Sequence, residues 1–174
     1  MHETNIDFEA LWQAVIALPS HLSPYSVHGP DHWRRVERNA LILASQSGAH
    51  VSVVRLFALF HDSRRENDDH DPDHGKRGAA LAHSWRGKYF DLPDEQYELL
   101  HYACTWHTDR HFDDDPTIAT CWDADRLDLG RVGITPHPKY LNTNFAKEIA
   151  LHGNISPWLQ LLDPPLKSVS VDNP

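Results

Sequence analysis

Apolar residues recur along most of this chain every three or four positions, the period of helices that bury one face. Phe8, Leu11, Trp12, Val15 and Ile16 make the first such stripe, and Pro19 ends it. A loop carrying Pro, Ser, Gly and His runs from Ser20 to Pro30, after which Asp31 is placed to cap a second helix, His32 to Ser47, ending near Gly48. The third helix, about Val51 to His61, is apolar around nearly its whole circumference, through Val53, Val54, Leu56, Phe57, Ala58, Leu59 and Phe60. A polar loop from Ser63 to Asp73 separates it from helices over Gly75–Tyr89, Asp94–His107, Thr117–Leu129 and Asn144–Leu151. Strand-type alternation, internal repeats and a domain linker are all missing from the pattern. It predicts an all-α, compact single-domain bundle. Residues 1–24 supply an N-terminal helix that packs on the core, 25–155 form the core domain, and 156–174 form a partly loose extension containing Pro164, Pro165 and Pro174.

Composition narrows the function classes. The 174 residues, 40% hydrophobic and 24% charged, describe a globular domain large enough to bury a core. A net charge of −9 without any Lys- or Arg-rich block argues against a nucleic-acid polymer as partner. A small anion would need local positive charge from a metal or a few arginines. The longest apolar stretch, Val53 to Phe60, is broken by Arg55 and too short to span a bilayer, so no membrane role is expected. The amino terminus lacks a basic segment followed by an apolar one, and Cys104 and Cys121 lack metal-type spacing; a cytoplasmic protein with reduced thiols is the expectation. Fourteen histidines are several times ordinary usage, which turns attention to those at buried positions.

The apolar third helix ends by presenting His61 and Asp62 to the interior, where an unpaired carboxylate is costly. Alone, the two would read as a locally satisfied hydrogen-bonded pair. Upstream, however, His32 sits in the first turn of the second helix, in the run His28-Gly29-Pro30-Asp31-His32-Trp33-Arg34-Arg35-Val36. Downstream comes Asp123-Ala124-Asp125-Arg126-Leu127-Asp128. Ile118, Trp122, Asp125 and Leu129 share one helical stripe, whereas Asp123 lies about 200° away around the axis. Periodicity therefore selects Asp125, not Asp123, as the inward carboxylate. Two imidazoles and two carboxylates form a nitrogen and oxygen set suited to Mn, Fe, Co, Ni, Zn or Mg.

The order His32, His61-Asp62, Asp125, with Ala124-Asp125-Arg126-Leu127 as its closing motif, resembles the HD-domain superfamily over about residues 25 to 130. The resemblance implies a helical core holding a divalent metal on His32, His61, Asp62 and Asp125. It also implies a metal-dependent phosphohydrolase acting on a small phosphate ester such as a nucleotide. Asp62 is then both metal ligand and the catalytic acceptor that orients the attacking water. Binuclear members insert two further histidines, and His74 and His107 stand in that order here, so two metals are one reading. The other is that His74 contacts substrate phosphate and His107 is a satisfied core histidine. The Gly-Tyr-Pro run of the cyclic-dinucleotide branch is missing. Arg65, beside Arg64 directly after the metal pair, and Arg77, beside Lys76 at a helix amino terminus, are the candidate phosphate-binding residues. Some mononucleotidase-like members carry a glutamate where Arg65 stands; Glu66 follows it here. Two alternatives share the pattern: a di-iron oxygenase of the same superfamily, and a non-catalytic nucleotide-sensing module. Substrate specificity is expected in loops such as 63–73 and 131–143.

Overall fold

The segment Val51–Phe60 has no polar face to offer solvent, and it becomes the central helix of the bundle. The structure, a computed structural model, describes residues 6–162. It contains α1 (Phe8–Ile16), α2 (Pro30–Ser47), α3 (Val51–Phe60), α4 (His74–Trp85), α5 (Asp94–Trp106), α6 (Pro116–Arg126) and α7 (Asn144–His152). Short 3₁₀ turns cover Leu129–Val132, Pro138–Tyr140 and Ser156–Leu161, and no strand occurs among the described residues. α3 is enclosed by α2, α4, α5 and α6, so Val53, Val54 and Leu56 through Phe60 are all buried. Its one internal cation, Arg55, turns outward onto the Phe8 ring and pairs with buried Glu37 at 2.8 Å. Glu37 also accepts from Arg34, whose guanidinium lies over Trp12. These two arginines clamp α1, which buries Leu11, Trp12 and Val15, onto α2 and α3.

Several helix ends differ from the sequence expectation. α2 is not capped by Asp31: its N-cap is Gly29, and Pro30 takes the first helical position, where a missing N–H costs nothing. Asp31 stays exposed in the first turn. α4 stops at Trp85 rather than Tyr89, because Gly87 takes a φ of 77° and its N–H bonds the Phe90 carbonyl at 2.7 Å, turning the chain. α6 starts at Pro116 behind an Asp115 cap that accepts from Thr117 and Ile118, and it ends at Arg126, three residues short of Leu129. Within residues 156–162, Trp158 packs edge-on against Phe145 and His152. The expectation for the tail from Asp163, with its three prolines, lies outside the described residues, as do residues 1–5.

α4 crosses its neighbours at very short range. A methyl group at Gly78 would run into the Phe60 carbonyl, and one at Gly75 into the Cys104 carbonyl. Two glycines on one side of α4 thus let His74 approach both the end of α3 and the end of α5.

Candidate metal centre

Four histidines converge, and each is fixed by what its Nδ1 touches. His61 and His107 are the first residues beyond α3 and α5, where the last-turn carbonyls lack helical donors. His61 Nδ1 lies 3.0 Å from the Ala58 carbonyl, and His107 Nδ1 lies 2.8 Å from that of Cys104. His74, opening α4, places Nδ1 on the Asp71 carbonyl. His32 places Nδ1 2.7 Å from the Asp128 carboxylate. All four partners are acceptors only, so each Nδ1 donates, and each neutral ring keeps its lone pair on Nε2.

These four Nε2 atoms meet in pairs. His32 and His61 bring theirs to 3.1 Å, and His74 and His107 bring theirs to 2.9 Å. Between two neutral rings the lone pairs would repel at such a distance; a proton on one ring or a shared metal ion relieves that repulsion. Imidazole nitrogens bound to one ion at about 2.1 Å stand about 3 Å apart, so the spacing suits a shared metal.

Asp62 stands between the pairs. Its Oδ2 is 3.6 Å from His32 Nε2 and 3.8 Å from His61 Nε2, while its Oδ1 is 3.2 Å from His74 Nε2 and 3.6 Å from His107 Nε2. Asp125 adds Oδ1 at 3.3 Å from His32 and 3.9 Å from His61. Asp62 Oδ1 and Asp125 Oδ1 are buried without a hydrogen-bond partner, which is rare for polar atoms in a folded interior. The donor atoms form two groups, His32–His61–Asp62 and Asp62–His74–His107, and either can hold a metal ion. Both groups fit a divalent cation by donor chemistry, spacing and these orphaned oxygens. The structure brings together all four core ligands anticipated from the sequence, and it places His74 and His107 with Asp62. Neither buried cysteine belongs to either group.

Both aspartates of the Asp123-Ala124-Asp125 run turn inward, not Asp125 alone. Asp123 is the more deeply buried of the two aspartates, while the Asp125 side chain keeps 19% of its surface exposed. Asp123 faces away from the histidines and accepts hydrogen bonds from Asn142 and Thr143 at the start of α7. Two inward faces exist because a distant segment covers the one opposite the apolar stripe.

Charge at the centre follows from the geometry. Burial drives the His61 pKa down to about 3 and, helped by His107, lowers that of His74. Burial also opposes charge on His32 and His107, but Asp125 and Asp128 outweigh it at His32, and Asp62 outweighs it at His107, so both are raised. Burial would push Asp62 and Asp125 up, yet the surrounding imidazoles hold both well below the usual carboxylate range. The carboxylates are therefore anionic, as metal ligands must be.

A cavity of about 440 Å³ opens over Asp62, its wall including His28, Arg65, Thr108, His111, Arg131 and Tyr140. Arg65 is buried; its Nη1 reaches within 3.7 Å of Asp62 Oδ1, and its other donors bond the Asn67 and Asp69 carbonyls. Arg77 does not line this cavity. Its Nη2 is held at 2.6 Å by Asp71, and its Nε by the Arg64 carbonyl, with Glu66 3.7 Å away. Lys76 pairs with exposed Asp73.

Sequence reasoning passed over three residues here. His28 Nδ1 is 3.0 Å from Asp62 Oδ2, and Asp128 supports His32. Both lie within a helical turn of a chosen ligand, His28 four before His32 and Asp128 three after Asp125, which was a usable signal. Arg131 has no such signal, because it sits in a 3₁₀ turn. Val27 and Asp128 carbonyls hold its guanidinium, which lies 3.9 Å from Asp125 Oδ1.

No family model, curated protein or solved structure matches the chain. Among the described residues, no helix is long and apolar enough to cross a membrane.

Proposed function

We propose that the chain is a metal-dependent phosphohydrolase of the HD-domain type, acting on a small phosphate ester such as a nucleotide. One observation carries the reading. Two imidazole pairs, with their Nε2 atoms facing inward, share the Asp62 carboxylate, whose Oδ1 is buried without a hydrogen-bond partner, beside a cavity walled by Arg65 and Arg131. His32, His61, Asp62 and Asp125 would hold one divalent cation, and Asp62, His74 and His107 a second. Such a cation supplies the charge that lowers the pKa of a water and offsets the developing charge on phosphoryl oxygens.

The protein's own groups have separate tasks. Asp62, anionic and buried, accepts a hydrogen bond from the attacking water and so aims it at phosphorus. Arg65 and Arg131 line the cavity, each held by two backbone carbonyls, and their remaining Nη groups would meet the non-bridging oxygens. Tyr140 and His111 flank the organic part of the ester at the rim. The cavity volume falls within the roughly 300–1,000 Å³ of small-molecule sites. A di-iron oxygenase shares this donor set, but two arginines at the cavity wall favour an anionic substrate over an uncharged C–H donor.

The test is phosphate release from nucleotides and sugar phosphates, with Mn, Fe, Co, Ni, Zn and Mg supplied in turn. Expected is metal-stimulated hydrolysis that a chelator removes. Arg65→Ala should lower kcat/KM by about 10- to 100-fold, the worth of a charge-assisted hydrogen bond; Arg77→Ala, turned away into Asp71, should change it little. Absence of metal-stimulated hydrolysis, together with iron-dependent oxygen uptake, would establish the oxygenase instead.

A further inference from the structure

We propose that Asp128 is a positioning residue that makes the His32–His61 group the tighter of two cation sites, an inference that rests on the metal reading above. Of the four converging histidines, three donate Nδ1–H to neutral backbone carbonyls. Only His32 donates to a carboxylate, at 2.7 Å. A hydrogen bond to an anion is shorter and stronger than one to a carbonyl, and it raises the basicity of the opposite ring nitrogen. Nε2 of His32 is that opposite nitrogen, and it faces Asp62, Asp125 and His61.

Asp128 is itself held rigidly. Its Oδ1 accepts from Arg35 Nε at 2.8 Å, its Oδ2 accepts from His32 Nδ1, and its backbone carbonyl accepts from Arg131. Arg35 balances the carboxylate charge from the side away from the centre, so Asp128 orients a ligand without competing to be one. Because Asp125 and Asp128 are three residues apart, one short segment grips both nitrogens of the same ring: Asp125 Oδ1 at Nε2 and Asp128 at Nδ1. The second group, Asp62, His74 and His107, has no carboxylate behind either imidazole, and it lacks a counterpart to Asp125. The two groups are therefore unequal by construction.

The experiment is a titration of the metal-free full chain with Co²⁺, followed by its visible absorption, with His107→Ala used to identify the second event. The parent should show two events of unequal affinity. Asp128→Asn keeps the size and polarity of the side chain but removes its charge. It should weaken the first event by about 10- to 100-fold, the usual cost of losing such a partner, and leave the second in place. An unchanged first event, or equal weakening of both, overturns the proposal; a parent that binds no metal overturns the metal reading itself. A second measurement needs no variant. In the Zn²⁺-loaded parent, the His32 Nδ1 proton should resonate furthest downfield of the four ring protons, and a His32 ring without an Nδ1 proton overturns the proposal.

Discussion

Asp62→Ala should empty both donor groups with one substitution. Its two oxygens divide between them, Oδ2 facing His32 and His61, Oδ1 facing His74 and His107, all at 3.2–3.8 Å. No other residue belongs to both groups. A metal held at 100 times its dissociation constant stabilises the folded state by about 2.7 kcal/mol per site through mass action. For a domain this size each kcal/mol moves Tm by about 2–4 °C, so one occupied site adds about 5–10 °C. The parent should therefore gain about 5–10 °C from its tighter site at that metal concentration, and more as the second fills. Asp62→Ala should gain nothing. Asp125→Ala and His107→Ala each strip one group and should keep a partial gain. The assay is thermal unfolding with chelator and with Mn²⁺, alongside metal content after dialysis. Comparing the metal-induced shift within each variant cancels whatever the substitution does to the metal-free fold. An Asp62→Ala protein with the parental shift would refute the shared-carboxylate argument.

Gly78→Ala sets two effects against each other. Alanine gains about 1 kcal/mol of helix propensity, but its methyl meets the Phe60 carbonyl, a backbone atom that cannot swing aside, and overpacking of that kind costs about 1–3 kcal/mol. The variant should melt below the parent by a few degrees; a melt at or above the parental Tm would show that α4 is not pressed against α3. Metal binding should also be proton-linked. Carboxylates hold His32 and His107 above the ordinary imidazole range, so a larger share of each ring carries an Nε2 proton that must leave before a metal is ligated. Affinity should rise with pH through neutrality and fall as pH drops, with protons released on binding. Calorimetry in two buffers of different ionisation enthalpy measures that release, and zero release near pH 7 would contradict the raised values.

The sequence exposed the candidate centre because its His and Asp residues were delivered by elements whose remaining residues had to be buried. His61 and Asp62 follow the most apolar helix, and Asp125 interrupts an apolar stripe. Periodicity failed where long-range partners decide. Asp123 looked outward by helical angle, yet Asn142 and Thr143, brought back by the chain after α6, cover that side and bond it. Arg77 satisfied the argument for an anion-binding helix start, but Asp71 in the preceding loop reached it first. The early end of α4 hinged on the positive φ of Gly87, and helix period carries no information about that. The 3₁₀ turns, including the one that supplies Arg131, carry too few residues to show any period at all.

The way the rings are held separates what substitution can change from what it cannot. For three of the four histidines the Nδ1 anchor is a main-chain carbonyl, and for His61 and His107 that carbonyl belongs to the last turn of the preceding helix. Side-chain replacement nearby leaves those anchors in place, so the orientation of these rings is tied to where α3 and α5 stop. His32 alone depends on a side chain, and so metal affinity has one adjustable support, Asp128. The cavity wall is built differently. Arg126 ties the 110–111 segment to Tyr140 through the Arg110, His111 and Tyr140 carbonyls, and Arg65 ties down the 67–69 segment. Tyr140, exposed on this wall, belongs to neither donor group. Changes at Tyr140 would therefore reshape the cavity wall while the two donor groups stay as they are.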